Sequence, residues 1–496
     1  MKKLFLICFS LITVFCVQAQ KEANNWFFGQ KCGITWNATQ DLTVTGLFGT
    51  ADKELIGLPT IVPDASNIKI STQEGCFSLS DNNGDLLFYS DGKTIWNKNH
   101  AIMSNGIGMN GDNSSTQSGI IIPYPGKSNK YIAVTLGVYN TNNISYSVID
   151  MALDGGLGGV ENPRNTLFVG QSGIVGETVT SIRHANGKDY WVVAPGWGNS
   201  SYMNAWLVTE NGISTTPVIT SLNISTSPNA GYMKFSPDGE SFAWATHGNA
   251  RLFIGKFDTS TGNFSNIKSM SLNSYGVEFS ASGKYLYSGN GSGKVYAWNF
   301  EDLTNALDLS SVPRKEFSFS GGGCWALQLA PDGRIYIAAH QQTYLYVIDN
   351  PEEYDSLRIY RLPTAFLGAA GVVQCRLGFP TFAANWFNVS FDGDDSFCVN
   401  TPQTFNVIIE KSSGVDEIGY TEWDFGDGSA IITDTNVSGT QTHTHTYAEK
   451  GVYTITVRVF KKSDGSEMTS QRQRFNVKAS SCLLPVNHNI SAMEFY

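Results

Sequence analysis

The chain is short of charge. Asp, Glu, Lys and Arg make up 15% of its 496 residues, and the formal net charge is −10. Water-facing helices need a charged outer surface, so this scarcity argues against a helical protein. No run of Lys and Arg occurs. That removes nucleic acid and anionic membrane surfaces as expected partners, because nothing is there to displace phosphate counterions. Cysteine is sparse, with eight residues, of which Cys8 and Cys16 fall in the first twenty. The other six, Cys32, Cys76, Cys324, Cys375, Cys398 and Cys482, show no C-x-x-C or other zinc-ligand spacing, so no metal cluster is expected. H-E-x-x-H, G-x-S-x-G, the kinase motif set and a Cys/His nucleophile context are missing as well. An enzyme is therefore unsupported, although a repeat fold could still bring distant carboxylates together.

Long apolar runs are missing beyond the N terminus. Lys2 and Lys3 precede an apolar stretch at residues 4–17, too short to span a bilayer comfortably. Val17 and Ala19 place small residues at a cleavage site before Gln20. Residues 1–19 read as a Sec signal peptide. Neither Cys8, after Ile7, nor Cys16, after Phe15, has the small residues that lipidation needs. The mature chain is expected to have no integral membrane span and to work at the cell surface or outside the cell, with the periplasm as the other compartment. Six cysteines in an exported chain allow three disulfides. Cys398 and Cys482 flank one domain and are expected to pair, leaving the other four to pair among themselves.

What is present in quantity is glycine, 50 residues, together with aromatics at 12%. That mixture suits short strands and tight turns. A pattern recurs: a strand-like run, a turn with Gly, then a second run rich in β-formers. It appears at 80–97, 123–136, 183–196, 235–246 (FSPDGESFAWAT), 279–290 and 329–339 (LAPDGRIYIAA). Gly187, Gly239, Gly283 and Gly333 are 52, 44 and 50 residues apart, enough for four strands and their loops. An all-β β-propeller over 20–390 is expected. Seven blades are favoured, with six or eight as alternatives. The seventh would pair a strand from 24–37 with one from 377–391 and so close the ring. Residues 301–311 could form a helical turn or two.

Residues 391–396 read as an acidic linker. Short strands then run over 397–480, the length of an immunoglobulin-like sandwich, and 481–496 is a tail. The repeats resemble propeller motifs of the F-S-P-D-G-x-x-L-Y kind. The segment WDFGDG (423–428) with HTYAEKGVYTITVRV (445–459) resembles the PKD domain signature. That resemblance implies structural roles for Trp423 as core anchor, for Asp424, Gly426, Asp427 and Gly428 in a kinked strand end and turn, and for His445, Tyr447 and Tyr453 beside it. NNWFFGQ (24–30), EGCFSLSDNNGDLLFYSDGKTIWNKNH (74–100) and SSTQSGIIIPYPG (114–126) are similar to exported propeller–PKD proteins of gliding, type IX-secreting bacteria. This implies a surface location. Other modules or the export machinery become candidate partners. Such proteins commonly end in a sorting domain, which the residues after 480 do not resemble.

Candidate chemistry is thin. His443 and His445 share a strand face as two metal ligands would, but no third ligand is evident. Asp392, Asp394 and Asp395 could hold a structural Ca²⁺ at the linker, yet they lack a distant bidentate Glu. No other cofactor is expected. GNGSGK (289–294) imitates a phosphate loop, but a β run follows it, so a hairpin is expected. APGWGNSSYMNAW (194–206) places Trp197, Tyr202 and Trp206 among Gly, Ser and Asn, as a sugar-stacking loop would. His247 and His340 follow strands at the same repeat position and could line one rim. The reading that results is a non-catalytic binding or adhesion protein. Its propeller face takes a glycan or protein, and its PKD domain is a spacer. The alternative is a carbohydrate-active enzyme, a propeller hydrolase or lyase, which paired carboxylates at the propeller mouth would favour.

Overall fold

The computed structural model describes residues 21–384 and 396–480, apart from 82, 139–140, 142, 187, 198–199, 225–229, 320–322, 410–417, 436–438, 450, 463–464 and 466–472. Seven inner strands succeed one another around a central axis, each packed against the next: Asn25–Phe28, Phe77–Ser80, Gly119–Pro123, Thr180–Arg183, Met233–Phe235, Gly276–Phe279 and Leu327–Leu329. Each begins a blade of antiparallel strands running outward. Blades 5 and 6 are the plainest, four strands each, over 233–271 and 276–318. The six sequence repeats are the inner hairpins of blades 2 to 7. Their turn glycines explain the pattern: Gly239, Gly283 and Gly333 have φ of 72–76°, which only glycine adopts freely. GNGSGK is a hairpin turn between Tyr285–Gly289 and Lys294–Asn299, and Asn290 Oδ1 accepts from the amides of Ser292 and Lys294. The helical turns are Phe300–Asn305, capped by Asn299, and Leu309–Ser311, capped by Asp308.

Closure differs from the expected pairing. Blade 1 is built from the N-terminal region alone, as Asn25–Phe28, Cys32–Gly46 and Lys53–Ile61. The far end of its long second strand pairs Thr45 and Gly46 with Arg361 and Tyr360 of blade 7. Residues 377–384 join no blade. Gln374 exchanges both backbone hydrogen bonds with Gln30, at 2.8 and 3.0 Å, and Leu377 O accepts from Ala326 N of blade 7. The chain then descends the central channel. Pro380, Phe382 and Ala384 bridge in parallel to Cys76, Ile121 and Ile182 of blades 2, 3 and 4. Alternate residues meet successive blades, as an extended chain does. Phe379 packs on Trp26 and Phe28, and Tyr232 Oη meets both its N and O. Gly378 must be glycine, since a Cβ there would stand 2.2 Å from Glu74 O.

The outer edge of the seam is ionic. Arg334 donates to Asp349 at 2.9 Å, to Asp332 at 3.2 Å and to Ile56 O of blade 1 at 3.0 Å, and Lys53 of blade 1 reaches Asp349. Cys32, Cys76, Cys324 and Cys375 are buried free thiols, which corrects the expectation that they pair. Cys32 Sγ donates to Gln30 O and Cys375 Sγ to Arg376 O, so they pack as small buried side chains around the closure. Cys482 lies outside the described residues, and with it the proposed partner of Cys398.

Residues 396–480 form a sandwich. One sheet orders Ser396–Cys398, Gln473–Ser480, Gly451–Lys461, Ile418–Asp424 and Ile432–Asp434, and the other pairs Gln403–Ile409 with Gly439–His445. Trp423 is fully buried with Phe405, Val407 and Val457, and its Nε1 donates to Gln441 Oε1 at 3.0 Å. Among the described residues no helix is long and apolar enough to cross a membrane.

Two substitutions should separate the two units in calorimetry. Arg334→Ala breaks a mostly buried ion pair within blade 7, together with the hydrogen bond that Arg334 gives Ile56 O across the seam, and should destabilise the propeller on the order of 3 kcal/mol. Trp423→Ala leaves a core void and should cost the sandwich about 3–5 kcal/mol, enough to unfold a small domain. Each should move one transition and leave the other in place. A single transition shifted by both variants would overturn this.

Candidate functional site

The loops entering the inner strands converge on one mouth of the channel. Their residues fall at a fixed phase: Glu74, Thr116 and Glu177 each stand three residues before the inner strand of blades 2, 3 and 4. Tyr232 and Tyr275 immediately precede those of blades 5 and 6, with rings 5.7 Å apart. The loop amides need partners once buried, and the side chains supply them. Glu177 accepts from Thr116 N at 3.1 Å and Thr116 Oγ1 at 3.2 Å. Gly231 N donates to Thr116 Oγ1, and Gln117 Oε1 accepts from Met233 N at 3.0 Å. Thr178 Oγ1 donates to Gly231 O at 2.7 Å. Blades 3, 4 and 5 are thereby tied across the centre. Burial pushes the Glu74 carboxyl up to about 8, and the neighbouring Glu177 adds to the rise.

Beside these carboxyls lies an aromatic cluster. Trp325, two residues before the inner strand of blade 7, is half-buried. Its ring is 5.0 Å from Tyr275, 5.6 Å from His247 and 6.1 Å from His340. One indole thus lies against both His247 and His340. Burial lowers both imidazoles, and Arg376 lowers His340 further. The Nδ1 of each is shielded from solvent and has no hydrogen-bond partner among the described residues. Trp325, Glu74, Glu177, Thr116, Tyr275 and Arg376 were not singled out from the sequence. All but Arg376 stand one to three residues before the inner strand of a blade, and that placement is the signal that could have found them.

The other anticipated aromatics lie elsewhere. Residues 194–206 are no long loop. Tyr190–Trp197 and Tyr202–Thr209 are paired strands, with Gly196 opposite Tyr202, leaving only 198–201 between them. Trp197 is 2% exposed and lies over Gly176, where a Cβ would stand 1.8 Å from its ring. Trp206 is 0% exposed, packs on Phe168 at 5.0 Å and donates from Nε1 to Val169 O. Neither indole offers a free face to a sugar, which corrects their reading as stacking residues. Tyr202 is half-buried at the start of its strand.

In the sandwich, the anticipated motif forms one connected cluster. Asp424 Oδ1 accepts from Gly426 N, and Asp427 accepts from Ser429 N and from His445 Nε2, the last at 2.7 Å. Gly426 and Gly428 have φ of 74° and 80°. Tyr447 Oη donates to Phe425 O at 2.8 Å, and its ring stacks on Tyr453 at 4.3 Å. His443 meets Asp434 at 3.0 Å. Both histidines thus hold a carboxylate of their own domain. Among the described residues no group of His, Cys, Asp and Glu has metal-site geometry, and Asp392, Asp394 and Asp395 lie outside them.

The fold and these sites define a class, an all-β propeller followed by a PKD domain. The PKD domain family model matches residues 388–477. Among solved structures the chain is similar to a candidate 6-phosphogluconolactonase of Bacteroides uniformis, at 13% identity over 82% of this chain and 97% of that one, with a TM-score of 0.37. It is also similar to the extracellular domain of a candidate one-component system of B. thetaiotaomicron, at 12% over 94% of this chain and 57% of that one, TM-score 0.36. Kluyveromyces lactis Hsv2 is similar at 10% over 68% and 97%, TM-score 0.35. Likenesses this distant carry no argument about activity. Comparison with curated proteins finds no match.

The buried carboxyl at the mouth gives the propeller a pH signature. Glu74 ionises near 4.5 when unfolded and near 8 when folded. The folded chain therefore holds its full advantage below pH 4.5 and loses it as pH rises toward about 8. Glu74→Gln removes that loss. Urea unfolding should find the variant more stable than the parent by on the order of 3 kcal/mol at the alkaline end, with the two curves meeting at the acidic end. Parallel curves would show that Glu74 is ionised in the folded protein.

Proposed function

We propose that this is an exported surface protein that binds a glycan at the mouth of its propeller, with the PKD domain as a spacer. The N-terminal leader pattern and the PKD domain support the location. The observation that carries the binding role is the half-buried Trp325 framed by His247 and His340. An aromatic face takes the C–H face of a sugar ring, and imidazole nitrogens take its hydroxyls. Burial favours the uncharged form of both histidines and of Glu74 near neutral pH, which suits a neutral, hydroxyl-rich ligand better than an ion.

The coupled pair Glu74 and Glu177 favours the second reading, a hydrolase. Hydrolysis needs two carboxyl groups flanking an open sugar site. Here Glu177 is 3% exposed and held by Thr116, so its oxygens serve the loop. Binding is the better-supported role.

A glycan array with the purified chain, beside a hydrolysis screen, tests this. A glycan should bind without being cleaved, and Trp325→Ala should weaken it about tenfold with an unchanged melting temperature. Trp197→Ala should instead destabilise the propeller by about 3–5 kcal/mol, as loss of a core indole does. Unaltered binding by Trp325→Ala would move the site away from the mouth, and released reducing ends would favour the hydrolase.

A further inference from the structure

A second site lies at the outer seam where blades 6, 7 and 1 meet. A cavity of about 100 Å³ is lined by Leu47, Phe48, Ser318, Phe319, Tyr346 and Arg361. Each wall comes from a different blade. Leu47 and Phe48 follow the long strand of blade 1, Ser318 ends the outer strand of blade 6, and Tyr346 and Arg361 are backbone partners in blade 7. The aromatic walls are mutually braced. Phe48 lies 4.9 Å from Phe319, and Phe319 lies 4.6 Å from Tyr346.

Two features of this cavity bear on what it could hold. Phe48 is 45% exposed and holds φ at 55°, a left-handed conformation that is costly for a bulky residue. Phe48 and Gly49 are the central residues of the hairpin turn that Thr50 N closes onto Leu47 O, so the turn holds this backbone and leaves the phenyl at the cavity edge. Arg361 lies over the Tyr344 ring at 5.4 Å but meets no carboxylate among the described residues, and its Nε is shielded from water without a hydrogen-bond partner. A guanidinium so placed calls for an anion.

We propose that this cavity binds a small carboxylate carried on one aromatic ring, the ring lying between Phe48, Phe319 and Tyr346 and the carboxylate on the guanidinium of Arg361. The volume sets the size. It is below the ~150 Å³ of a cavity that takes benzene and far below the ~300 Å³ at which drug-sized sites begin, so it admits no more than one ring. The cation sets the charge, since a neutral ring would leave Arg361 as it stands.

The probe is benzoate, titrated by calorimetry into the full chain, with benzyl alcohol as the uncharged control. Benzoate should bind in the millimolar range or better and benzyl alcohol about tenfold more weakly. Arg361→Gln should abolish the preference for the acid. Because Arg361 also packs on Tyr344, a second variant is needed. Phe48→Gly relieves the left-handed backbone, so it should keep or raise the melting temperature while weakening benzoate. No benzoate binding, equal binding of benzoate and benzyl alcohol, or benzoate binding untouched by both variants would each overturn the proposal.

Discussion

Closure of the ring rests on the backbone pair between Gln30 and Gln374. A propeller of seven blades has one junction that sequence order does not make for it, and here the two-way hydrogen bond makes it from the inside. It sets the register of the segment beyond Gln374. Leu377 meets blade 7, Phe379 fills the space beside Trp26 and Phe28, and residues 380–384 run down the channel against blades 2, 3 and 4. On the outside the same seam is held by strand pairing at Thr45 and Gly46, by Arg334 on Ile56 O and by Lys53 on Asp349. The inner contact orders the centre, and the outer contacts resist its opening.

The centre is polar where it meets solvent and apolar below. This arises from loop chemistry. Seven turns bring backbone amides together in a space too narrow for bulk water, so Thr116, Gln117, Thr178 and Glu177 become their partners. These bonds cross from blade to blade, which fixes the relative position of the loops before any ligand arrives. A site resting on such a frame, as the cluster about Trp325 does, has little ordering left to do on binding.

The inner hairpins of blades 2 to 7 were legible because each carries its own signal, a Gly turn between two apolar runs. The sandwich was legible for a similar reason. Trp423, Asp427, His445 and Tyr447 lie within a short stretch and bond to partners inside it, Trp423 to Gln441, Asp427 and His445 to each other, and Tyr447 to Phe425 O. Blade 1 and the channel segment were not, because their partners are far away in the chain, as Gln30 and Gln374 are. Trp197 was misread through its glycines. Gly176 and Gly196 mark places where an indole or a backbone packs closely, and not an exposed loop. At the mouth His247 and His340 were picked out by repeat position, but Trp325 was not. Trp325, His247 and His340 come from three segments that only ring closure unites.

The channel segment also fixes a temporal order. A ribosome delivers blade 1 first and residues 374–384 last among the propeller residues, so the ring stays an open arc until nearly all of it has been made. During that interval the inner faces of blades 2, 3 and 4, with Cys76, Ile121 and Ile182, lack their cover. The same late closure means that a chain crossing a membrane as an unfolded thread would not be hindered by a prematurely sealed ring.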